Sequence, residues 1–275
     1  MANADSITAE LPTSRADTDL ARGCFRIGTC HDLIDGLERA HARAVPLPER
    51  HWGLKLLGYA WVADVLHDAQ RFGRVLEAGV GFGDEMYRAF GGDGDTRAPD
   101  RELWTIDNSA FYTPDRVAQG RSARAHCTDI DGLLGDYLEE LASPGIEHGG
   151  GFDAVCSISA LEHAPLETIP DVCADLWRIT RPGGLSVHTL DFAFDEIDRT
   201  MQPWLEHLRG VGFEIADDAV DLTHGLADAS GDAYLFEPIE SVVRNWCKRN
   251  IGDGKPPVRF RTRHAAVLVV ARKPG

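Results

Sequence analysis

Three glycines at alternating positions follow a short apolar segment and form a stretch suited to binding a ligand. Gly79, Gly81 and Gly83 permit a turn too tight for side chains, so that the backbone can approach a ligand closely. Glu77 lies two residues before the first glycine, and the acids at 84–85 open a predicted helix. A dinucleotide fingerprint needs its third glycine at position 84, and acids there would repel a pyrophosphate. The stretch therefore favours a ligand that carries positive charge.

Two further acids follow the next two predicted strands. Asp107 lies 24 residues beyond Gly83, where a carboxylate can accept both hydroxyls of a ribose, although a helix cap is the alternative. The carboxylate of Asp129 could accept an adenine amino group while Ile130 lies against the ring. Asp131 could instead be an ordinary N-cap of the following helix. These positions favour a ribose and an adenine at one edge of the sheet.

Residues near the ends of the later predicted strands are candidates for proton transfer. His163 is the first candidate for a general base, because imidazole titrates near neutral pH. The alternative is that Glu162 and His163 cap the turn before Pro165. His188 and Asp191 lie around the end of the fifth predicted strand, where an acceptor molecule would lie. For His188, a hydrogen-bonded histidine in the core is an equally good interpretation.

Strands and helices alternate in the pattern that positions these residues. Apolar segments predict strands at 74–78, 103–106, 121–128, 152–158, 185–190, 213–216 and 265–271. Helices are predicted between them, among others at 84–90, 131–141, 168–179 and 195–208. This alternation predicts the α/β class, with an open, doubly wound, mostly parallel sheet and helices on both faces.

The remaining segments lie before and within this domain. Residues 1–20 are predicted to be a flexible tail, and residues 21–72 an N-terminal helical cap with helices at 30–43 and 52–72. The second of these helices carries an apolar stripe with Lys55 and Asp64 on its polar back. The domain itself spans 73–275, with an insertion at about 222–263 on the substrate side.

Composition excludes several classes of function. The chain has 275 residues and a net charge of −16, which disfavours binding to nucleic acid. No apolar segment is long enough to span a membrane, and no secretory signal is present, so a cytoplasmic location is expected. The six cysteines show no zinc spacing, and the acid pairs 93/95 and 129/131 are patterns that occur by chance, so no metal site is predicted. The sequence does not determine the oligomeric state, and a homo-oligomer is one of the open alternatives.

The ordered motifs between residues 73 and 190 resemble those of class I S-adenosylmethionine-dependent methyltransferases. They are the glycine stretch 77–83, Asp107, Asp129-Ile130, the segment 152–163 and the segment 176–184 that ends in Arg-Pro-Gly-Gly. The resemblance implies a seven-stranded sheet with an antiparallel last strand, which suits the segment 265–271. Val80 and Phe82 are bulkier than the residues often found there.

The resemblance also implies the cofactor S-adenosyl-L-methionine and the residues that hold it. The glycines would wrap the methionine part with Glu77 near its amino group. Asp107 would hold the ribose and Asp129 the adenine, with Ile130 beside it. Ser157 would lie beside the sulfonium. The full set of implied cofactor residues is Glu77, Gly79, Gly81, Gly83, Asp107, Asn108, Asp129, Ile130 and Ser157.

We therefore expect methyl transfer to a small-molecule acceptor, in the first place at oxygen, with nitrogen as the alternative. Two alternatives stay open: a nicotinamide-dependent oxidoreductase, which shares the glycine turn and the acid after the second strand, and a non-catalytic protein that binds S-adenosylmethionine. Protein acceptors are not excluded by the charge.

Overall fold

A single sheet runs through the computed structural model. The model describes residues 13–45, 47, 53–67, 73–79, 102–107, 123–127, 151–193, 197–217, 220–222, 231–236 and 264–275. The strands are β1 (Cys24–Ile27), β2 (Arg74–Ala78), β3 (Glu102–Asp107), β4 (Ala123–Cys127), β5 (Phe152–Ile158), β6 (Thr180–Ala193), β7 (Val220–Asp221) and β8 (His264–Arg272). The helices are α1 (Arg15–Arg22), α2 (Cys30–Ala42), α3 (Leu54–His67), α4 (Ile169–Ile179), α5 (Ile197–Thr200) and α6 (Gln202–Gly210).

The order of strands across the sheet is β4-β3-β2-β5-β6-β8-β1-β7. The five strands β2 to β6 all run parallel to one another. Strand β8 runs antiparallel to both of its neighbours, β6 and β1. This arrangement confirms the predicted α/β class and the antiparallel last strand. It also explains the apolar content of the central strands, because helices cover both of their faces.

The expected count of seven strands is wrong, since the described residues contain eight in this sheet. Strand β1 was expected within a purely helical cap, but it pairs along β8 from Cys24 opposite Val270 to Ile27 opposite Val267. The predicted strand 213–216 is reduced to one bridge between Glu214 and Arg272. The reason is that β1 already occupies the adjoining length of the β8 edge.

Helices pack on both faces of the sheet and form two apolar layers. On one face, α4 and α6 cover side chains such as Phe152 and Val267. On the other, α3 packs so closely that a Cβ atom on Gly58 would lie 2.7 Å from the side chain of Ile158. Most of α3 is buried, so the apolar stripe predicted for this helix underestimates its burial.

Helix α1 covers Arg15–Arg22, so the prediction of a flexible tail up to residue 20 is wrong for residues 15–20. Helix α1 begins at a capping box, in which Ser14 and Asp17 bond each other's backbone amides. Asp19 and Leu20 on this helix are buried. Tertiary contacts with the following helices, which the local sequence does not display, hold this segment in place.

Part of the predicted insertion packs against the N-terminal segment. The amide of Cys30 donates to the carbonyl of Ala233, and Thr29 forms a bridge with Tyr234, whose side chain is buried. Arg15 also pairs with Asp232 at 3.1 Å. Most of the insertion lies outside the described residues, so its predicted place on the substrate side stays a prediction.

Within the described parts of the chain, no helix has the length and apolar content that crossing a bilayer requires.

Candidate active site

The carboxyl ends of β2 and β5 lie side by side where the strand order reverses. Leu76 of β2 pairs with Val155 of β5, yet the chain reaches β5 only after forming β3 and β4 on the other side of β2. Open α/β sheets bind their ligands in the crevice at such a point. The residues that follow β2 and β5 therefore form the candidate active site.

Gly79 makes the turn at the end of β2 and lies in close contact with the segment after β5. Its φ is +79°, and its amide donates to the carbonyl of Ile106 at 2.8 Å. A Cβ atom at this position would lie 2.3 Å from the Cβ of Ala160, well inside van der Waals contact. At this residue both the backbone conformation and the available space require glycine, in agreement with the prediction, while the rest of the glycine stretch lies outside the described residues.

Glu77 is buried near this turn. It is 4% exposed and lies in register with Thr105 of β3 and Cys156 of β5. The pKa of the Cys156 thiol is raised, first by burial and then by the charge of Glu77. The structure thus places a carboxylate one residue before the end of β2, where the sequence analysis expected it.

Several predicted cofactor residues cannot be compared with their expected positions. Gly81, Gly83, Asn108, Asp129 and Ile130 lie outside the described residues. Asp107 is the last residue of β3, and its backbone lies opposite Cys127 of β4. Its expected place at a strand end beside β2 is therefore confirmed, while its role with a ribose stays a prediction.

Ser157 and His188 are brought together, but inside the core. The Ser157 hydroxyl lies 2.8 Å from Nδ1 of His188, and the Ser186 hydroxyl lies 2.5 Å from Nε2. His188 is 2% exposed, and burial lowers its pKa to about 3. With both ring nitrogens bonded, His188 fits the alternative of a core histidine. The Ser157 side chain is fully buried and belongs to the same hydrogen-bonded group.

Burial of neutral His188 predicts a loss of stability in mild acid. Below the ordinary pKa of 6.5 the unfolded chain binds a proton that the folded chain does not bind until about pH 3. As the pH is lowered from 6.5 to about 3, the free energy of unfolding should therefore decrease, and this group contributes at most about 1.4 kcal/mol per pH unit. Chemical denaturation from pH 7 to pH 4 measures the slope.

The matched comparison for this slope uses two histidine variants. His188→Leu should flatten the slope although it lowers the baseline stability, because the two serine hydroxyls lose their partner. The exposed His41→Gln should leave the slope unchanged. An unaltered slope in His188→Leu would show that other groups cause the acid sensitivity.

Ser159 has a strained backbone directly after β5. Its φ is +48°, a conformation that costs a non-glycine residue about 1–2 kcal/mol. Its amide donates to the carbonyl of Thr189 on β6 at 2.9 Å. This turn directs the chain across the ends of the strands, toward the short 3-10 helix Leu161–His163. Strain of this kind is common at functional sites.

Glu162 is the functional candidate that the sequence analysis missed. Its side chain is 7% exposed, whereas that of the neighbouring His163 is 77% exposed. The distance between Nε2 of His163 and the nearer carboxyl oxygen of Glu162 is 4.0 Å. The sequence analysis gave Glu162 only a capping role, since adjacent residues in a short turn do not show which side chain points inward.

Charged side chains of both signs lie near the buried carboxyl group of Glu162. Burial and the charge of Asp191 raise the pKa of Glu162 to about 8, against a smaller opposing effect of Lys55. Lys55 on α3 donates to the carbonyl of Ile158 at 3.2 Å, at the end of β5. Glu162, Asp191 and Lys55 thus come from three elements to one edge of the sheet. Of the three predicted catalytic residues, His163 and Asp191 lie here and His188 does not.

The comparisons with known proteins give fold similarity only. No family model and no curated protein sequence matches the chain. Similar solved structures include the cyclopropane synthase MmaA2 from Mycobacterium tuberculosis, 13% identical over 77% of this chain and 84% of that one, with a TM-score of 0.43. The [4+2]-cyclase SpnF is 18% identical over 92% and 99%, with a TM-score of 0.45.

Methyltransferases are also among the similar solved structures. Phosphoethanolamine N-methyltransferase 2 from Haemonchus contortus, solved in complex with S-adenosyl-L-methionine, is 16% identical over 76% of this chain and 52% of that one, with a TM-score of 0.41. At such identities and TM-scores, a function for this chain has to be derived from its own site residues.

Proposed function

We propose that this protein transfers a methyl group from S-adenosyl-L-methionine to the oxygen or nitrogen of a small-molecule acceptor. The observation that carries the proposal is the position of Gly79, which has a φ of +79° and follows β2 at the reversal of strand order, where open α/β sheets bind their ligands. Glu77 and Glu162 add buried carboxyl groups at the same edge, which suits a cofactor that carries positive charge.

We assign the parts of this cofactor to the residues that the sequence predicts. Glu77, Gly79, Gly81 and Gly83 would hold the methionine part. Asp107 and Asn108 would hold the ribose, and Asp129 and Ile130 the adenine. When bound, the cofactor supplies an electrophilic methyl group on a positively charged sulfur.

The chain's own contribution is to hold the acceptor at near-attack distance and to manage its proton. His163 is exposed beside the buried Glu162, and Asp191 approaches from β6. Either residue would bind the acceptor or take part in removing its proton at this edge of the sheet. His188 is left out of this role, because both its nitrogens are bonded within the core.

Asp107→Ala should abolish measurable binding of S-adenosylhomocysteine while the fold survives. The substitution removes the carboxylate that would accept the two ribose hydroxyls, and hydrogen bonds to a charged group contribute about 1.5–3 kcal/mol each. Calorimetric titration of the purified full-length chain measures the affinity, and circular dichroism checks the fold.

The control for this experiment is Asp171→Ala, which removes an exposed acid in the first turn of α4. It should bind like the wild type. NAD and NADP are titrated in parallel and should not bind. Unchanged affinity in Asp107→Ala would remove the ribose assignment, and binding of a nicotinamide cofactor alone would replace the proposed function by an oxidoreductase.

A further inference from the structure

Glu162 combines burial with an unused capacity for hydrogen bonding. Both of its carboxyl oxygens are buried and neither makes a hydrogen bond of good geometry in the described part of the chain, although the backbone amides of Glu162 and Asp191 lie near enough to favour the carboxylate. A buried carboxyl group without such bonds is costly to a fold, since it has lost water and gained nothing in exchange. A buried carboxyl group of this kind is therefore a candidate for contact with a ligand.

The position of Glu162 relates it to the cofactor turn. The residue lies two positions after Ala160, which touches the Gly79 turn. Its side chain is turned inward while that of His163 is turned to solvent. The carboxyl group is thus held at the carboxyl ends of β5 and β6, close to the place where a ligand on the Gly79 turn would lie.

The charged groups that face Glu162 come from three directions. Asp191 faces it from β6, Lys55 from α3 and His163 from its own short helix. The Lys55 ammonium also donates to the carbonyl of Ile158. Burial and the charge of Asp191 outweigh the effect of Lys55, and the raised pKa of about 8 favours a protonated Glu162 near neutral pH.

We propose that Glu162 is a catalytic residue that accepts the proton of the acceptor's O–H or N–H group during methyl transfer. The inference rests on the proposed function. A bond forms between the acceptor's oxygen or nitrogen and the methyl carbon, and the carbon–sulfur bond breaks with its electron pair left on sulfur. The proton released by the acceptor passes to the Glu162 carboxylate. Positive charge on sulfur and negative charge on Glu162 disappear together, so the net charge of the buried site stays constant.

The proposal predicts that the charged donor and the neutral product act differently on Glu162. A positive sulfonium nearby favours the carboxylate, so binding of S-adenosylmethionine should release the proton that Glu162 holds in the free protein. S-adenosylhomocysteine has the same ammonium and nucleoside groups but an uncharged sulfur. Its binding should leave the proton in place. The difference between the two ligands isolates the effect of the sulfonium.

Calorimetry of the full-length chain at pH 7 tests this difference without any acceptor. Each ligand is titrated in phosphate and in Tris, whose ionisation enthalpies differ, so that the heat gives the number of protons released. We expect S-adenosylmethionine to release close to one proton more than S-adenosylhomocysteine. Glu162→Gln should still bind both ligands but lose this difference. Glu167→Gln, which changes an exposed acid on the next turn, should keep it.

Infrared spectroscopy of the wild type gives a second measurement that does not depend on a variant folding. The band of a protonated carboxyl group should be present at pH 7 and should disappear when S-adenosylmethionine is added, but not when S-adenosylhomocysteine is added. A persistent band, or equal proton release with the two ligands, overturns the role of Glu162 while leaving the proposed function intact. A difference that survives in Glu162→Gln and vanishes in Asp191→Asn assigns the role to Asp191 instead. Failure of both ligands to bind overturns the proposed function and this inference with it.

Discussion

Arg26→Met should lower the free energy of unfolding by about 3–5 kcal/mol, because it removes the hydrogen-bonded cation of two buried carboxylates and leaves only the more distant Arg15, 4.0 Å from Asp32. Arg26 on β1 bonds Asp19 of α1 at 2.7 Å and both carboxyl oxygens of Asp32 of α2 at 2.7 Å. The Asp32 side chain is 0% exposed. Urea denaturation of the wild type and the variant at pH 7 measures the difference.

The size of this effect follows from how many elements meet at Arg26. Asp19 also accepts a hydrogen bond from the indole of Trp61 on α3, at 3.2 Å. Burial would raise the pKa of Asp32, but the bonds from Arg26 outweigh it and hold the pKa below its usual value. Removal of the guanidinium therefore destabilises the contacts of α1, β1, α2 and α3 at once.

Two further variants separate a lost ion pair from a lost side chain. Arg178→Ala breaks a half-exposed pair with Asp175, for which we expect less than about 1 kcal/mol. Asp32→Asn added to Arg26→Met should recover part of the loss, because one buried negative charge is removed. If Arg26→Met and Arg178→Ala cost the same, the buried group is not a main source of stability.

Gly79→Ala should reduce the affinity for S-adenosylhomocysteine by at least about 100-fold, equivalent to about 2.7 kcal/mol. The new methyl group would lie 2.3 Å from the Cβ of Ala160, and the φ of +79° is unfavourable for alanine. The turn must therefore move away from the segment that leads to Glu162. Calorimetric titration measures the affinity, and thermal denaturation measures the cost to the fold.

Gly183 provides a matched control for Gly79. It has a similar φ of +75°, but a Cβ atom there would meet nothing within 4 Å. Gly183→Ala should therefore show the backbone strain without the clash, and its affinity for S-adenosylhomocysteine should stay at the wild-type value. Ala160→Gly combined with Gly79→Ala should restore part of the binding. Full affinity in Gly79→Ala alone would contradict a ligand site at this turn.

Local patterns in the sequence predict the central part of the fold well. Strands at 74–78 and 152–158 were predicted with the bounds that the structure gives, and the last strand was predicted to within a residue at either end. Continuous β-branched and apolar residues mark strands that are buried on both faces. The turn at Gly79 was predictable for a similar reason, because alternating glycines have few other uses after a buried strand.

Features that depend on partners far along the chain were not predicted. The segment 24–27 is only four residues long and becomes a strand because β8 offers it an edge. Asp64 was predicted on the polar back of α3, yet it is buried and bonds Arg39 at 2.8 Å. Its cation belongs to another helix, and the pattern within one helix does not show it.

The sequence by itself determined the alternation of strands and helices, the glycine turn and the acids near the strand ends, since these follow from local hydrophobicity and backbone conformation. Only the tertiary structure decided which polar residues are buried. It placed His188 in the core between two serines and turned Glu162 inward and His163 outward. Burial depends on the packing of elements distant in sequence, and burial sets the charge and the chemistry of each side chain.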